Sequence, residues 1–220
     1  MKILTTKIRQ NNLAGAFYRV MSRFPEVQVV GMPTDMDIRS MECYEWFEQH
    51  SDADAFVNMA GVTDMCNIDD WTFERASSVV SVNLTGAINL TTAFVRGTWD
   101  NPNNKTIVHV GSLWSRKAAT GGAAYSASKA GLAQYVISAG YELPNRYAVI
   151  GLHPANIADT GMSRQVQDNL QNRRGMSKQQ VQEIYQDVIT AEEVAEEIRV
   201  LLDAHWYDGE NIYLGKGDKR

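Results

Sequence analysis

TIVHVGSLWSRKAATGGAAYSASKAGL, residues 106–132, runs from an apolar segment through a turn of small residues into a helical pattern. Thr106–Val110 has the continuous apolar character of a strand covered on both faces. The helix that follows reads from about Ala124 to Tyr141. Tyr125 and Lys129 are four apart on it, so they share one face, a turn from each other. An ammonium in that place favours the phenolate and is expected to draw the tyrosine down from about 10 toward neutrality. Such a phenol can give or take a proton at a carbonyl or hydroxyl oxygen. The pair alone is a weak signal, since chance supplies Tyr-x-x-x-Lys about once in every two or three chains of this length. Ser112 strengthens it. It stands thirteen residues before Tyr125, just past the strand, where its hydroxyl can hold a substrate oxygen against the phenol.

Outward from this stretch, short apolar runs alternate with amphipathic ones. Strands are expected at Lys2–Thr5, Val27–Val30, Ala55–Val57, Tyr147–Leu152 and Asn211–Leu214, and helices near Ala14–Phe24, Cys43–His50, Val79–Val95 and Ala191–Ala204. Strands separated by helices imply βαβ units and a doubly wound parallel sheet, a three-layer α/β/α sandwich. One domain spans residues 1–220, with a ligand-binding half over 1–110 and a catalytic half over 111–220. The polar stretch Ser163–Gln186 reads as a mobile insertion, bracketed by Met162 and Met176 and placed to fold over a substrate. Open parallel sheets bind ligands beyond the carboxyl ends of their strands. That singles out Asn58-Met59-Ala60-Gly61, Ser112, His153-Pro154-Ala155-Asn156 and Thr5-Thr6-Lys7.

Of the 220 residues, 44% are apolar and 21% charged, and the net charge is -5. This composition excludes a disordered chain, and the acidic balance argues against a nucleic-acid or anionic-membrane binder. Arg173–Arg174 reads as a solvated loop. Cys43 and Cys66 make no CxxC pair, and free thiols suit a reducing cytoplasm. MKILTTK lacks the apolar core of a signal peptide, and no apolar run reads as long enough to span a bilayer. The expectation is a cytoplasmic chain with no membrane partner. His50, His109, His153 and His205 show no ligand spacing, so no metal is expected.

Taken together, the motifs resemble the short-chain dehydrogenase/reductase family across nearly the whole chain. VNMAG (57–61) is similar to the family's Asn-Asn-Ala-Gly segment, with Met59 for the second Asn. VNLTG (82–86) resembles the segment of its catalytic Asn, here Asn83. VGS and YSASKAGL supply Ser112, Tyr125 and Lys129 at the family's spacing. HPANIADTGM (153–162) resembles the Pro-Gly segment beside the nicotinamide, with Ala155 for Gly. The resemblance extends to ITAEEVAEEIRVLL and YDGENIYLGKG in the tail. It implies an NAD(P)-dependent oxidoreductase acting on a small carbonyl or alcohol. Tyr125 is its acid/base, Ser112 orients substrate, Lys129 holds the ribose and tunes Tyr125, and Asn83 anchors a proton-relay water. Asn58, Ala60, Gly61, Pro154 and Ile157 would border the cofactor. The resemblance also implies a homodimer or homotetramer, through the helices near Asn83 and Tyr125.

The N-terminus departs from the family. Its Thr-Gly-x-x-x-Gly-x-Gly turn lets the backbone approach the pyrophosphate. Here the loop is TTKIRQNNLAG: Gly15 fits the last glycine, Thr6 replaces the first, and the middle one is missing. Asn11 and Asn12 are substitutes able to adopt positive φ or cap a helix. Lys7 and Arg9 add charge beside the phosphates. After VQVV the usual second helix is absent, and Asp37-Ile38 resembles the pair that contacts adenine. No acid ends that strand to hold ribose hydroxyls, although Asp35 follows a little later. NADP is therefore slightly favoured over NAD. Two readings stand: an active oxidoreductase, favoured by the four catalytic residues, and a non-catalytic Rossmann-type binding or regulatory module, favoured by the altered loop. Trp114 and Arg116 are candidates to line the substrate pocket, Arg116 as receiver of an anion. Thr63 and Cys66 are candidates to face the same site.

Overall fold

A computed structural model describes residues 1–8, 12–117, 121–158, 160–172, 174–185, 187–203 and 209–215. Arg9, Asn11, Arg173 and His205, singled out above, lie outside the described residues. In chain order the elements are β1 (Lys2–Thr5), α1 (Leu13–Met21), β2 (Gln28–Gly31), α2 (Met41–Glu48), β3 (Ala55–Asn58), α3 (Phe73–Val80), α4 (Gly86–Thr98), β4 (Lys105–Val110), α5 (Ala123–Glu142) and β5 (Tyr147–Pro154). There follow β6 (Asn156–Ile157), α6 (Gly161–Asn172), α7 (Lys178–Ile184), β7 (Val188–Ile189), α8 (Ala191–Leu202) and β8 (Glu210–Leu214). Six strands form a parallel sheet in the order β2-β1-β3-β4-β5-β8, while β6 and β7 pair separately.

Successive strand residues point to opposite faces, and both faces here are apolar. Ile3, Ala55, Val57, Val108, Val110, Ile150 and Leu152 pack under α1 and α8. Their neighbours Leu4, Phe56, Ile107, Tyr147 and Val149 pack under α2, α4 and α5. Phe56 sits 4.8 Å from Phe47 and 5.9 Å from Phe94 between ring centroids. Burying each such ring is worth about 1.5–3 kcal/mol, so this alternation fixes the strands' register. The helices start on capping residues. Ser40 and Thr72 accept main-chain N–H bonds, and Ser177 and Thr190 form capping boxes with Gln180 and Glu193.

From β1 the chain steps to the β2 edge, then returns to the other side of β1 as β3. The crevice at the carboxyl ends of β1 and β3 is thus a topological switch point. Hydrogen bonds tie its walls together: Thr5 Oγ1 donates to the Val57 carbonyl at 3.0 Å, and Met59 N donates to Thr6 Oγ1 at 3.1 Å.

Three sequence expectations need correction. Ser163–Gln186, read as a mobile insertion, carries most of α6 and all of α7. Val166, Leu170 and Val181 give α6 and α7 a buried stripe against Met65, Trp114, Met176 and Tyr185, and this contact organises two helices despite the polar composition. The helix expected over Val79–Val95 begins at Phe73 and runs to Thr98 through a wide turn at Ser81–Thr85. That continuous helix is long and apolar enough, by length and composition, to cross a membrane. No uninterrupted apolar run reveals it, because Asn83 and several threonines punctuate it. Half of its most apolar window is buried inside the protein. The absence of a helix between β2 and α2, by contrast, is as expected.

Candidate active site

Ser112, Tyr125 and Lys129 come together at the carboxyl end of the sheet. Ser112 leaves β4 in extended conformation and opens a short helical turn, Leu113–Ser115, its Oγ accepting from Trp114 N at 3.2 Å. Tyr125 lies in the first turn of α5, 8% exposed, with the Trp114 ring edge-on at 5.9 Å. Lys129 lies one turn further on. Its ammonium donates to the Val110 carbonyl at 2.9 Å and stands 5.9 Å from the Tyr125 ring centroid.

The electrostatics differ from expectation. Burial pushes the Tyr125 phenol up, with a hydrogen bond to Ser112 opposing it. Tyr185 adds to the rise, and the Lys129 ammonium, which burial lowers to about 8, faces the Val110 carbonyl. The phenol is therefore held in its neutral, proton-bearing form.

Asn83 is 1% exposed, on the wide turn between α3 and α4. Its Oδ1 accepts from Val62 N at 2.8 Å, and its Nδ2 donates to the Val62 carbonyl and Ser128 Oγ at 2.9 and 3.0 Å. Ser128 in turn donates to the Tyr125 carbonyl at 2.7 Å. Its side-chain amide thus clamps the segment after β3 to the first turn of α5. Ser128 escapes the sequence reading although it stands three residues from Tyr125, where a helix places it on the same side.

A cavity of about 630 Å³ passes over these residues. Among the candidates, Ala60, Gly61, Thr63, Ser112, Trp114, Tyr125, Lys129, Pro154, Ile157 and Met162 line it, as does Asn12 at the start of α1. Tyr185 and Val166 line it too. Both belong to the stretch read as an insertion, and no local pattern marks them. The remaining candidates stand elsewhere. Asn58 is buried beneath the cavity, accepting from Ala60 N at 3.1 Å and contacting His109 at 3.3 Å. Burial holds His109 at about 3, hence neutral. Asp37 pairs with Arg39, which lowers its carboxyl to about 2, and Ile38 is a core residue under α4. Lys7 acts on the Asp37 and Cys43 sites through its charge. Arg116 lies over the Tyr213 ring at 3.4 Å and does not line the cavity, because the aromatic face attracts the guanidinium away from it. Cys66 is buried, its N–H bonded to the Gly121 carbonyl. Among the described residues no group of three His, Cys, Asp or Glu side chains is placed to hold a metal.

The N-terminal end of α1 faces the cavity. Asn12 caps it, accepting from Gly15 N at 3.0 Å, so one of the two candidate asparagines does cap the helix. A helix start with small residues Ala14 and Gly15, opening on a cavity that continues to Tyr125, fits a dinucleotide.

A doubly wound parallel sheet with a Ser–Tyr–Lys cluster beside its switch point defines a Rossmann-type protein. Residues 2–171 match the short chain dehydrogenase family, and the chain belongs to that family. It is 24% identical over 136 residues to 3-oxoacyl-[acyl-carrier-protein] reductase FabG of Chlamydia trachomatis, a match covering 62% of this chain and 54% of the relative. The corresponding protein of Chlamydia muridarum is 25% identical over the same extent. The chain thus spans about half the length of the curated relatives it matches. Aldohexose dehydrogenase of Thermoplasma acidophilum, ligand-free, superposes with a TM-score of 0.81 at 15% identity, covering 97% of this chain and 91% of that one. A variant of actinorhodin polyketide ketoreductase with NADPH gives 0.79 at 20% identity, covering 98% and 86%. At these identities the structural likeness speaks to the fold.

Proposed function

We propose that the chain transfers a hydride between a nicotinamide cofactor and a carbonyl or alcohol substrate, working best as a reductase. The observation that carries this is the neutral, buried Tyr125 hydroxyl on the cavity wall beside Ser112 and Lys129. Bound NAD(P) supplies or accepts the hydride. The rest falls to the chain. Ser112 donates a hydrogen bond to the substrate oxygen, Tyr125 gives that oxygen its proton, and the two together place the carbonyl carbon. Lys129 would hold the ribose. A phenol raised by burial is already in the acid form that reduction requires, and both curated relatives are named as reductases. Asn12, Leu13, Ala14, Ala60, Gly61, Pro154 and Ile157 would hold the cofactor, with Lys7 favouring NADP over NAD. Family membership supports a homodimer or homotetramer.

One observation favours a non-catalytic binding module instead. The Asn12 side chain already takes the Gly15 N–H, one of the donors a phosphate would use at this helix end. Titration with NADPH and NADH, followed by nicotinamide fluorescence, separates the readings, since binding of neither favours the module. Screening aldehydes and ketones with the cofactor that binds then identifies turnover. Tyr125→Phe should lower that turnover at least about a hundredfold and leave cofactor binding intact. Wild-type turnover in this variant would remove Tyr125 from its role.

A further inference from the structure

His153 is fully buried near the end of β5, directly behind Ser112. Its Nε2 lies 2.7 Å from Asn211 Oδ1, and the Asn211 amide is oriented by its own Nδ2, which donates to the Ala133 carbonyl at 2.9 Å. The oxygen of Asn211 therefore faces the imidazole, and Nε2 carries the hydrogen. In the neutral ring Nδ1 is left as the acceptor: Ser112 N donates to it at 3.3 Å, while the Ser112 carbonyl, at the same distance, meets no hydrogen there. Ser115 Oγ stands at the same distance from Nδ1. Tyr213 stacks on the imidazole at 4.6 Å. The space for this arrangement comes from two missing side chains. A Cβ on Gly111 would fall 2.2 Å from His153 Nδ1, and one on Gly151 would fall 2.3 Å from Asn211 Oδ1. Burial, aided by the Lys129 and Arg116 cations, keeps the ring neutral against the opposing pull of Asn211 Oδ1 and the Ser112 carbonyl.

We infer that His153 is a positioning residue for Ser112, its Nδ1 holding the Ser112 main-chain N–H while Asn211 fixes the ring. The inference rests on the reductase reading above. Ser112 sits at the joint between β4 and a single helical turn, closed by Ser115 N on the Ser112 carbonyl at 3.0 Å. Two residues of backbone thus set where its hydroxyl points. The imidazole anchors the Ser112 main-chain N–H at that joint, as Lys129 anchors the Val110 carbonyl two residues before it. A shift of about 1 Å in a group that orients substrate can cost a hundredfold in rate.

H153N and H153Q test this as a pair. An asparagine amide oxygen takes the place of Nδ1 and accepts from Ser112, losing Asn211. A glutamine amide nitrogen takes the place of Nε2 and keeps Asn211, losing Ser112. Melting temperature, kcat and KM are measured on the intact chain, with NADPH and any ketone the wild type accepts. H153Q is expected to lose kcat about tenfold or more, and H153N about threefold or less, with similar losses in melting temperature. Losses in kcat that are equal, or that follow the melting temperatures, overturn the inference. Should neither variant fold, nitrogen NMR of the wild type labelled in histidine decides. A neutral Nε2–H tautomer with a hydrogen-bonded Nδ1 is expected, and an Nδ1–H tautomer overturns it. A wild type that turns over no carbonyl defeats the reductase reading, and the tautomer measurement still decides the His153–Ser112 contact.

Discussion

Replacing Lys129 by methionine isolates the cost of the buried ammonium. Lys129 is 3% exposed, and burial alone brings it from 10.5 to about 8. At ~1.4 kcal/mol per pH unit, holding that charge inside the ligand-free fold costs about 3 kcal/mol at neutral pH. The sign follows from linkage. Between pH 8 and 10.5 the unfolded lysine keeps its proton while the folded one has lost it, so stability rises with pH through that window. Below pH 8 both states are charged and the full penalty applies. Lys129→Met, similar in length and uncharged, removes the penalty but leaves the Val110 carbonyl without its donor, worth about 1–3 kcal/mol. At pH 7 the variant should therefore match or exceed the wild type in stability, although it should lose activity. The difference between the two proteins is the sharper quantity, since the carbonyl term does not vary with pH. Urea unfolding of both from pH 6.5 to 10.5 should show the wild type gaining about 3 kcal/mol on the variant across the window. A difference that stays constant with pH would refute the desolvated ammonium and the geometry built on it.

Lys7→Ala should weaken NADPH by about two- to fivefold, as for a partly exposed charge, and leave NADH unchanged by calorimetric titration; equal losses for both would remove the basis for preferring NADP. Arg116→Ala should leave KM within about twofold for acidic and neutral ketones alike while lowering stability by about 0.5–1 kcal/mol through the lost Tyr213 contact. A KM raised selectively for acidic ketones would return Arg116 to substrate binding.

The sheet is legible in the sequence because each strand must satisfy two apolar layers. TIVHV and YAVIGL are dictated by burial on both sides, and the intervening helix follows from the spacing of its face. The α6–α7 region is not legible for the same physical reason in reverse. Its composition is polar, and among its described residues Val166, Leu170 and Val181 enter the satellite core, with Met176 and Tyr185 packed against it. Helix formation there depends on partners as distant as Met65 and Trp114, so local composition misstates it. Asn83 shows a related limit. In sequence it is a polar residue in an apolar helix, and nothing nearby indicates that Val62 and Ser128 will enclose it. The upward displacement of Tyr125 is likewise a property of burial, which spacing does not report.

The two halves of the site are supported differently. Tyr125, Ser128 and Lys129 share one helical face, and Asn83 and Val110 hold that face by hydrogen bonds, so its geometry is built into α5. The altered loop after β1 has no such dependence. Helix α1 is placed by Leu13, Ala16, Phe17 and Val20 against α8 and the sheet, and of the described residues in the altered loop neither Thr6 nor Asn12 belongs to that apolar cluster. The helix end consequently keeps its position at the cavity while the loop ahead of it changes. What changes is the supply of donors: Asn12 occupies the Gly15 N–H, and an anion at this end must displace that side chain or rely on the N–H groups of Leu13 and Ala14, which have no partner within the helix. Fold and phosphate affinity are separable here, which is why an eroded loop can coexist with an undisturbed Ser112, Tyr125 and Lys129.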